Sequence, residues 1–267
     1  MNNIHVSNGP VNSVGKALRV LECFSQGHGS LTLAQISKQT GIPKSTALNL
    51  LRTMENAGYL IRTAGQSYQL GFRLLELGYA VRETLPIVQL AIPLMEKLQI
   101  QTGKTIYLTS HINGQVLYLE GLFPTIRPGN YSATGKTLPM HCTGCGKAML
   151  AFLPEAELET LLAKQPLSRH TPNTITDPQA LRAELAQIRS RGYAIDTEEE
   201  TPGVKCIAVP IREADGYPVG AISISGTTMS MRDQLLNSYA RDLSSVCQSL
   251  MGNAALFPAA QLRRAES

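Results

Sequence analysis

The chain has 267 residues, of which 43% are hydrophobic and 16% are charged, and this length is enough for two ordinary domains or one large one. No apolar run approaches the roughly 18 residues of a membrane span, and the start MNNIHVSNGP lacks the basic and apolar segments of a signal peptide. Five scattered cysteines do not form a disulfide framework. These features exclude membrane and disulfide-rich secreted classes, and we expect a cytoplasmic protein with reduced thiols.

The net charge of +4 is unevenly distributed along the chain. Residues 1–75 contain seven Lys or Arg against two Glu, a net charge of +5. Residues 76–267 contain 17 Lys or Arg against 18 Asp or Glu, a net charge of −1. This asymmetry indicates a small anion-binding module attached to a larger, nearly neutral domain.

The chain begins with an arm and two predicted helices. Residues 1–12 are rich in Asn, Ser and Gly, and we expect them to be a disordered arm. Apolar residues spaced by three and four predict a helix over 13–24. Thr32 and Gln35 have the spacing of a capping box and predict a second, short helix that ends at Gly41.

A third helix and a hairpin follow. Pro43 suits the first turn of a helix whose apolar face ends at Gly58. The segments YLIRT and SYQLG flank Ala64-Gly65-Gln66, which predicts a β-hairpin. Two helices, a tight turn, a third helix and a hairpin over residues 13–75 are typical of a winged helix-turn-helix.

The outer face of the third helix is polar and basic. Hydroxyl groups can bond a phosphate or a base edge, Asn can read adenine, and Arg can read guanine or hold a phosphate. The helix amino terminus also favours phosphate. Exposed helices are generally polar on one side, but the hairpin, the capping box and the +5 charge together favour DNA binding. The predicted contacts are Lys44, Ser45, Thr46, Asn49 and Arg52 on the helix, and Arg62 in the wing.

An apolar helix is predicted over residues 72–84, and we assign 76–85 to a linker helix. Because few of its positions are polar, we expect it to pack against another surface and to join protomers. The carboxy-terminal domain is predicted over residues 86–255.

This larger domain mixes helices with strands that are mostly connected by hairpins, which indicates an α+β fold with an antiparallel sheet. Asn113-Gly114 supplies the positive φ angles of one hairpin turn, and Asp177 is a helix N-cap. The predicted segments are helices at 86–103, 143–163, 177–192 and 231–251, and strands at 105–111, 115–122, 193–197, 204–213 and 218–226.

The sequence does not match the motifs of several known enzyme classes. Gly135-Lys136-Thr137 and Gly146-Lys147 lack the glycine spacing or the hydroxyl of a nucleotide-binding loop. Gly-x-Ser-x-Gly and His-Glu-x-x-His are absent from the sequence, and the acidic run 198–200 is typical of a solvated edge. We therefore predict a binding domain with no catalytic residues and no cofactor.

The segment MHCTGCGKAML contains a Cys-x-x-Cys pair, Cys142 and Cys145, beside His141. This spacing suits a zinc half-site or a redox pair, with Cys206 and His141 as further ligands. However, a second pair is missing, and His170 has no nearby partner in the sequence. Because cysteine is also a common buried residue, we favour no metal site, and a zinc or thiol sensor stays open as an alternative.

Four segments, taken in order, resemble the IclR (isocitrate-lyase regulator) family of bacterial transcription factors. They are IPKSTALNLLRTMENAGYL, LPMHCTGCGKAMLAFL, RSRGYAIDTEEETPGVKCIAVPI and GAISISG, and the likeness covers about residues 13–250. The resemblance implies a winged helix-turn-helix, a linker helix and a GAF-like carboxy-terminal domain that binds a small molecule. It also implies a homodimer or homotetramer on double-stranded, pseudo-palindromic operator DNA, most often as a repressor of a catabolic operon. An activator of the same architecture stays open.

The effector pocket of the family falls on positions of these motifs. Gly144 and Cys145 lie at a predicted helix start, where N–H groups can hold a carboxylate, and Asp196 would accept hydrogen bonds from ligand hydroxyls. The family usually has a small residue at positions 142 and 145, where this chain has Cys. The family resemblance and the mixture of N–H donors, hydroxyls and one carboxylate favour a small hydroxylated carboxylate, such as a sugar acid or a short keto acid, over an aromatic ligand. The implied pocket residues are Leu138, Gly144, Cys145, Asp196, Val204, Cys206, Ser223 and Ser225.

Overall fold

The structure, a computed structural model, describes residues 11–25, 29–124 and 133–266. The chain divides into two compact units, and the boundary between them falls between Thr84 and Leu85. The predicted arm lies outside the described residues except for Val11 and Asn12, where the first helix begins. Within the described ranges, no helix is both long and apolar enough to span a membrane.

The amino-terminal unit is a winged helix-turn-helix, as the sequence predicts. Its three strands form an antiparallel sheet in the order β1-β3-β2, in which the two-residue β1 adds a strand that the sequence did not predict. The elements are α1 (Asn12–Glu22), β1 (Leu31–Thr32), α2 (Leu33–Thr40), α3 (Lys44–Asn56), β2 (Leu60–Arg62), β3 (Ser67–Leu70) and α4 (Phe72–Glu83).

Local signals set the ends of these helices. The Thr32 hydroxyl accepts a hydrogen bond from the Gln35 N–H at 3.3 Å, and the Gln35 side chain accepts one from the Thr32 N–H at 2.8 Å, which confirms the capping box. Gly41 ends α2 with a φ of 68°. The sequence predicts Pro43 in the first turn of α3. In the structure Pro43 is the N-cap and lies one residue earlier.

The apolar linker helix predicted over 72–84 is α4. Several of its large side chains are exposed within its own unit, with Phe72 at 74%, Leu75 at 72% and Tyr79 at 59%. Removing apolar side chains from water lowers the free energy. The exposed apolar side chains of α4 therefore form a surface suited to a further packing partner.

The carboxy-terminal unit is an α+β domain built on one antiparallel sheet, as predicted. The strand order is β6-β5-β4-β9-β8-β7, and helices pack on the sheet. The elements are α5 (Pro86–Thr102), β4 (Thr105–Ile112), β5 (Gln115–Leu122), β6 (Thr137–Pro139), α6 (Gly144–Leu150), α7 (Glu155–Lys164), α8 (Pro178–Arg191), β7 (Ala194–Thr197), β8 (Val204–Arg212), β9 (Pro218–Thr227), α9 (Asp233–Met251), a 3₁₀ turn (Ala254–Leu256) and α10 (Pro258–Glu266).

The two faces of this sheet differ in polarity. One face carries the fully buried Ile222 and Ile224, and at Gly220 on the same face a Cβ atom would lie 2.4 Å from the Phe257 ring. Side chains alternate between the faces of a strand, so Ser223 belongs to the opposite face. This opposite face is the one that α6 covers.

Three parts of this domain differ from the prediction. The single helix expected over 143–163 is two helices, α6 and α7, because Pro154 cannot continue a helix and becomes the N-cap of α7. The three-residue β6 is too short to show periodicity. α10 was not predicted, yet Ala260 within it and Phe257 just before it are fully buried in the domain core.

Candidate functional site

The recognition helix candidate, α3, has one buried and one exposed face. Ala47 and Leu51 are fully buried in the core of the amino-terminal unit. Lys44, Ser45, Asn49 and Arg52, which the sequence predicts as DNA contacts, are exposed, and Thr46 is half-buried. The predicted set therefore shares one solvent-facing side, apart from Thr46 at its border.

The first turn of α3 suits an anion. Its N-cap is Pro43, which makes no side-chain capping bond, and its first turn holds no acidic residue. The first backbone bond of the helix runs from the Ala47 N–H to the Pro43 carbonyl, so the preceding N–H groups point out of the helix end. The partial positive charge of this end adds to that of Lys44.

Arg62 ends strand β2 at the tip of the wing. Its guanidinium is exposed and donates a hydrogen bond to the Gln66 side chain, and Gln66 adopts a positive φ of 60° in the turn. The hairpin thus holds a cation at its tip, as predicted.

On the polar face of the larger domain, helix α6 brings several predicted effector residues together. A Cβ atom added to Gly144 would lie 2.7 Å from the Cys206 sulfur and 3.7 Å from the Asp196 Cβ. The strand register explains this proximity, because Asp196 lies opposite Cys206 and Cys206 lies opposite Ser225. Gly144, Asp196 and Cys206 are buried, and Ser225 is half-buried.

Cys145 extends this cluster along the sheet. Its thiol lies near the side chains of Ser223 and Thr109, both of which are buried. Val204 is half-buried at the start of β8, and Leu138 is half-buried on the edge strand β6, which four strands separate from β7. The structure therefore groups Gly144, Cys145, Asp196, Cys206, Ser223 and Ser225, and it places Val204 and Leu138 at the periphery.

Asp196 is the titratable centre of this cluster. Its Oδ1 accepts the Glu199 N–H at 2.8 Å, and its Oδ2 accepts a weak hydrogen bond from the Cys206 thiol at 3.8 Å. Burial raises the pKa of Asp196 to about 7, against the opposing effects of the Glu199 N–H and of the nearby Lys147. The carboxyl group therefore changes its charge close to neutral pH.

The Cys-x-x-Cys pair does not act as a unit. Cys142 lies with His141 and His170, whereas Cys145 lies near Ser223 and Thr109. Burial raises the pKa of the Cys142 thiol far above its usual range and raises the pKa of Cys145 to about 11. Because the thiolate is the reactive form, this geometry opposes a redox role for the pair.

A buried ion pair that the sequence analysis missed lies behind α6. The Lys147 ammonium, 1% exposed, pairs with the Glu199 carboxylate, 6% exposed, and lies 3.9 Å from Glu184 Oε1. The interpretation of run 198–200 as a solvated edge is therefore wrong for Glu199. The sequence signal for this ion pair is a lysine inside the otherwise apolar α6, because a buried ammonium requires an acidic partner.

An open cleft adjoins this ion pair. Its volume is about 410 Å³, and none of the eight predicted effector residues lines it. The lining residues are Lys147, Asn173, Ile175, Glu184, Arg191, Ile195, Thr197 and Glu199.

A winged helix-turn-helix joined to an α+β ligand-binding unit defines a class of DNA-binding transcriptional regulators. Two family profiles match this chain, the IclR helix-turn-helix domain over residues 13–63 and the bacterial transcriptional regulator IclR C-terminal domain over residues 79–251. The chain belongs to the IclR family, which confirms the resemblance of its motifs. It is a DNA-binding transcriptional regulator and not an enzyme.

Relatives in this family include regulators and repressors of similar length. The HTH-type transcriptional regulator XynR of Escherichia coli K12 is 35% identical over 234 residues, which cover 87% of this chain and 93% of that protein. The transcriptional repressor IclR of the same strain is 30% identical over 235 residues, covering 86% and 85% respectively. An IclR homologue from Microbacterium hydrocarbonoxydans, solved with 4-hydroxybenzoate, superimposes with a TM-score of 0.74 at 28% identity, covering 91% of this chain and 98% of that one.

Proposed function

We propose that this regulator represses a catabolic operon and is released by a small carboxylate, such as a sugar acid or a keto acid, bound in its carboxy-terminal domain. The observation that carries the proposal is the packing of the α6 amino terminus against Asp196, Cys206 and Ser223. The relative named as a repressor supports repression, and the homologue solved with 4-hydroxybenzoate, an aromatic carboxylate, supports a carboxylate ligand but not the choice of a sugar acid or a keto acid.

The proposed pocket consists of N–H groups at the start of α6, two serine hydroxyls and one carboxyl group. N–H groups at a helix amino terminus bind a carboxylate, whereas serine hydroxyls and Asp196 suit the hydroxyl groups of a polar ligand. We assign the binding of the effector to Leu138, Gly144, Cys145, Asp196, Val204, Cys206, Ser223 and Ser225.

On the DNA side, α3 would enter the major groove. Lys44 and Arg52 hold the phosphate backbone, and Arg62 in the wing does the same beside the groove. Ser45, Thr46 and Asn49 approach base edges.

Two copies of the chain, joined through α4, would place two recognition helices on half-sites about 34 Å apart or a multiple of that spacing. The exposed Phe72 and Leu75 supply the apolar surface for this contact. A homodimer or a tetramer built from such dimers matches a pseudo-palindromic operator.

The proposal is tested with the purified chain and the DNA upstream of its own gene. Fluorescence anisotropy should show a sequence-specific complex that weakens steeply with salt, and Arg52→Ala should weaken it at least about tenfold. Arg232→Ala, which removes an exposed arginine of the other unit, is the matched control. A thermal-shift screen of sugar acids and keto acids then identifies the ligand, whose addition should dissociate the complex. If the ligand strengthens the complex with DNA and raises transcription from that DNA, the repressor proposal is wrong.

A further inference from the structure

Three ligand-type side chains meet beside the start of α6, outside the proposed effector pocket. His141, Cys142 and His170 each offer one ligand atom, and these atoms all lie within 4.8 Å of one another. The imidazole rings of His141 and His170 have centroids 6.0 Å apart. His170 has no nearby partner in the sequence, but the loop after α7 folds back onto residue 141 and brings His170 beside His141 and Cys142.

The buried histidine of this group has one ring nitrogen engaged by the backbone and one free to bind a metal. His141 Nε2 lies 3.0 Å from the Ser168 carbonyl oxygen. A carbonyl can only accept a hydrogen bond, so Nε2 carries the proton and the lone pair remains on Nδ1. A backbone carbonyl that fixes the tautomer in this way is a common partner of metal-bound histidine.

The loop that carries His170 is held firmly while its imidazole remains exposed. Thr171 and Thr174 are buried, and their hydroxyls donate to the carbonyl oxygens of Glu198 and Glu199. The His170 N–H donates to the Thr174 hydroxyl at 3.0 Å. The backbone of His170 is therefore fixed beside the two buried ligands, and its exposed side chain is able to rotate toward them.

We propose that His141, Cys142 and His170 bind one Zn²⁺ ion, with a fourth position open to water or to a small anion. Two imidazoles and one thiolate are ligands that zinc prefers, whereas Mg²⁺ and Ca²⁺ require oxygen ligands. On binding, the Cys142 thiol loses its proton to solvent and its sulfur bonds the metal.

The three ligand atoms of His141, Cys142 and His170 form a triangle whose size is close to what zinc requires. A point equidistant from three atoms 4.8 Å apart lies about 2.8 Å from each, about 0.5–0.8 Å beyond Zn–S and Zn–N bonds of about 2.3 and 2.0–2.1 Å. Rotation of the exposed His170 side chain shortens its own distances to the metal, and a small shift of His141 or Cys142 supplies the rest of the contraction.

The local charge also favours a cation. The acidic side chains of Glu200, Asp196 and Glu199 act electrostatically on the position of the Cys142 sulfur. The same negative field attracts a divalent ion to this position. The site shares no ligand with the eight proposed effector residues, so zinc binding is independent of the effector proposal.

The test uses the full chain, stripped with a chelator and titrated with Zn²⁺ against a competing chromophoric chelator. We expect one tightly bound zinc per chain and, with Co²⁺ in its place, visible d–d bands together with a thiolate charge-transfer band. Each of His170→Ala and Cys142→Ala should weaken zinc binding at least about 100-fold, and Cys142→Ala should abolish the charge-transfer band.

Cys247→Ala is the matched control, because it removes a buried thiol of α9 that is not one of the three proposed ligands. It should bind zinc as the wild type does. His170→Ala changes an exposed side chain, so it keeps the experiment decisive even if Cys142→Ala fails to fold. Stripped wild-type protein that takes up no zinc, or His170→Ala protein that binds zinc as tightly as wild type, overturns the proposal.

Discussion

Gly144 and Cys206 approach so closely that a Cβ atom at position 144 would lie 2.7 Å from the Cys206 sulfur. This contact joins the first residue of α6 to β8, which lies between β7 and β9, two strands of the proposed effector pocket. The absence of a side chain at position 144 is therefore what allows the helix end to reach the polar face of the sheet.

Gly144→Ala should destabilise the chain by about 1–3 kcal/mol, because α6 or the Cys206 side chain must move. Urea unfolding measures this change. Adding Cys206→Ala removes the sulfur and should restore most of the loss. Gly252→Ala is the control, since Gly252 has a φ of −60° and no atom within 4 Å of the added Cβ, and it should be neutral. A loss at position 144 that the second substitution does not relieve would contradict the steric explanation.

Asn49→Ala should relax operator specificity. If Asn49 bonds an adenine edge, its loss costs about 1–3 kcal/mol on the specific site and leaves binding to unrelated DNA unchanged. The measurement is the ratio of affinities for the operator and for a scrambled duplex. Asn56→Ala, at the last residue of α3, should leave the ratio at the wild-type value. Equal weakening on both duplexes would assign Asn49 to phosphate contact.

Asp196→Asn should reduce the dependence of stability on pH. Between about pH 4 and 7 the folded chain keeps a proton on Asp196 that the unfolded chain has released, because burial raises its pKa from 3.8 to about 7. This carboxyl group therefore contributes stability that falls as the pH rises and is lost above about pH 7, by an amount on the order of 4 kcal/mol. The free energy of unfolding at pH 5 and pH 8 should differ less in the variant. Parallel curves for wild type and variant would show that Asp196 titrates normally.

Lys147→Met should be strongly destabilising, by about 3–5 kcal/mol, because it leaves the buried Glu199 carboxylate without its cation. The double variant Lys147→Met/Glu199→Gln should recover a large part of this loss, since both charges are then removed. A double-mutant cycle in urea measures the coupling. Additive losses from the two single variants would mean that the pair has no favourable interaction.

Phe72→Glu combined with Leu75→Glu should convert the proposed oligomer to monomers. The two side chains are 74% and 72% exposed in the isolated chain, and charges there would be costly in an apolar contact between copies. Sedimentation velocity measures the mass of the species that the wild type and the variant form in solution. Ile100→Glu, at a residue of α5 that is 79% exposed, should leave the mass unchanged. A monomeric wild type would remove the proposed role of α4.

Local chemistry explains why some features could be predicted. The capping box of Thr32 and Gln35 and the turn at Asn113-Gly114, with φ angles of 49° and 72°, depend on residues close in sequence. They are therefore visible in the sequence itself, as is the outward face of α3.

Long-range partners could not be predicted in the same way. Lys147 and Glu199 are 52 positions apart, and only the register of β7 and β8 with the loop after α7 brings them together. The same holds for His170 and Cys142. The sequence indicates that each of these groups is polar, but it does not indicate whether another group neutralises or coordinates it.

The number of residues between Met140 and Gly146 is fixed by close contacts within this segment. A Cβ atom at Gly146 would lie 2.3 Å from the Met140 Cα, and the Thr143 side chain caps α6 by accepting the Gly146 N–H at 3.2 Å. Insertion or deletion of a single residue would break this turn and the Gly144 contact together. We therefore expect this stretch to diverge in evolution by exchange of side chains, and the length variation that alters many binding loops to be absent from it.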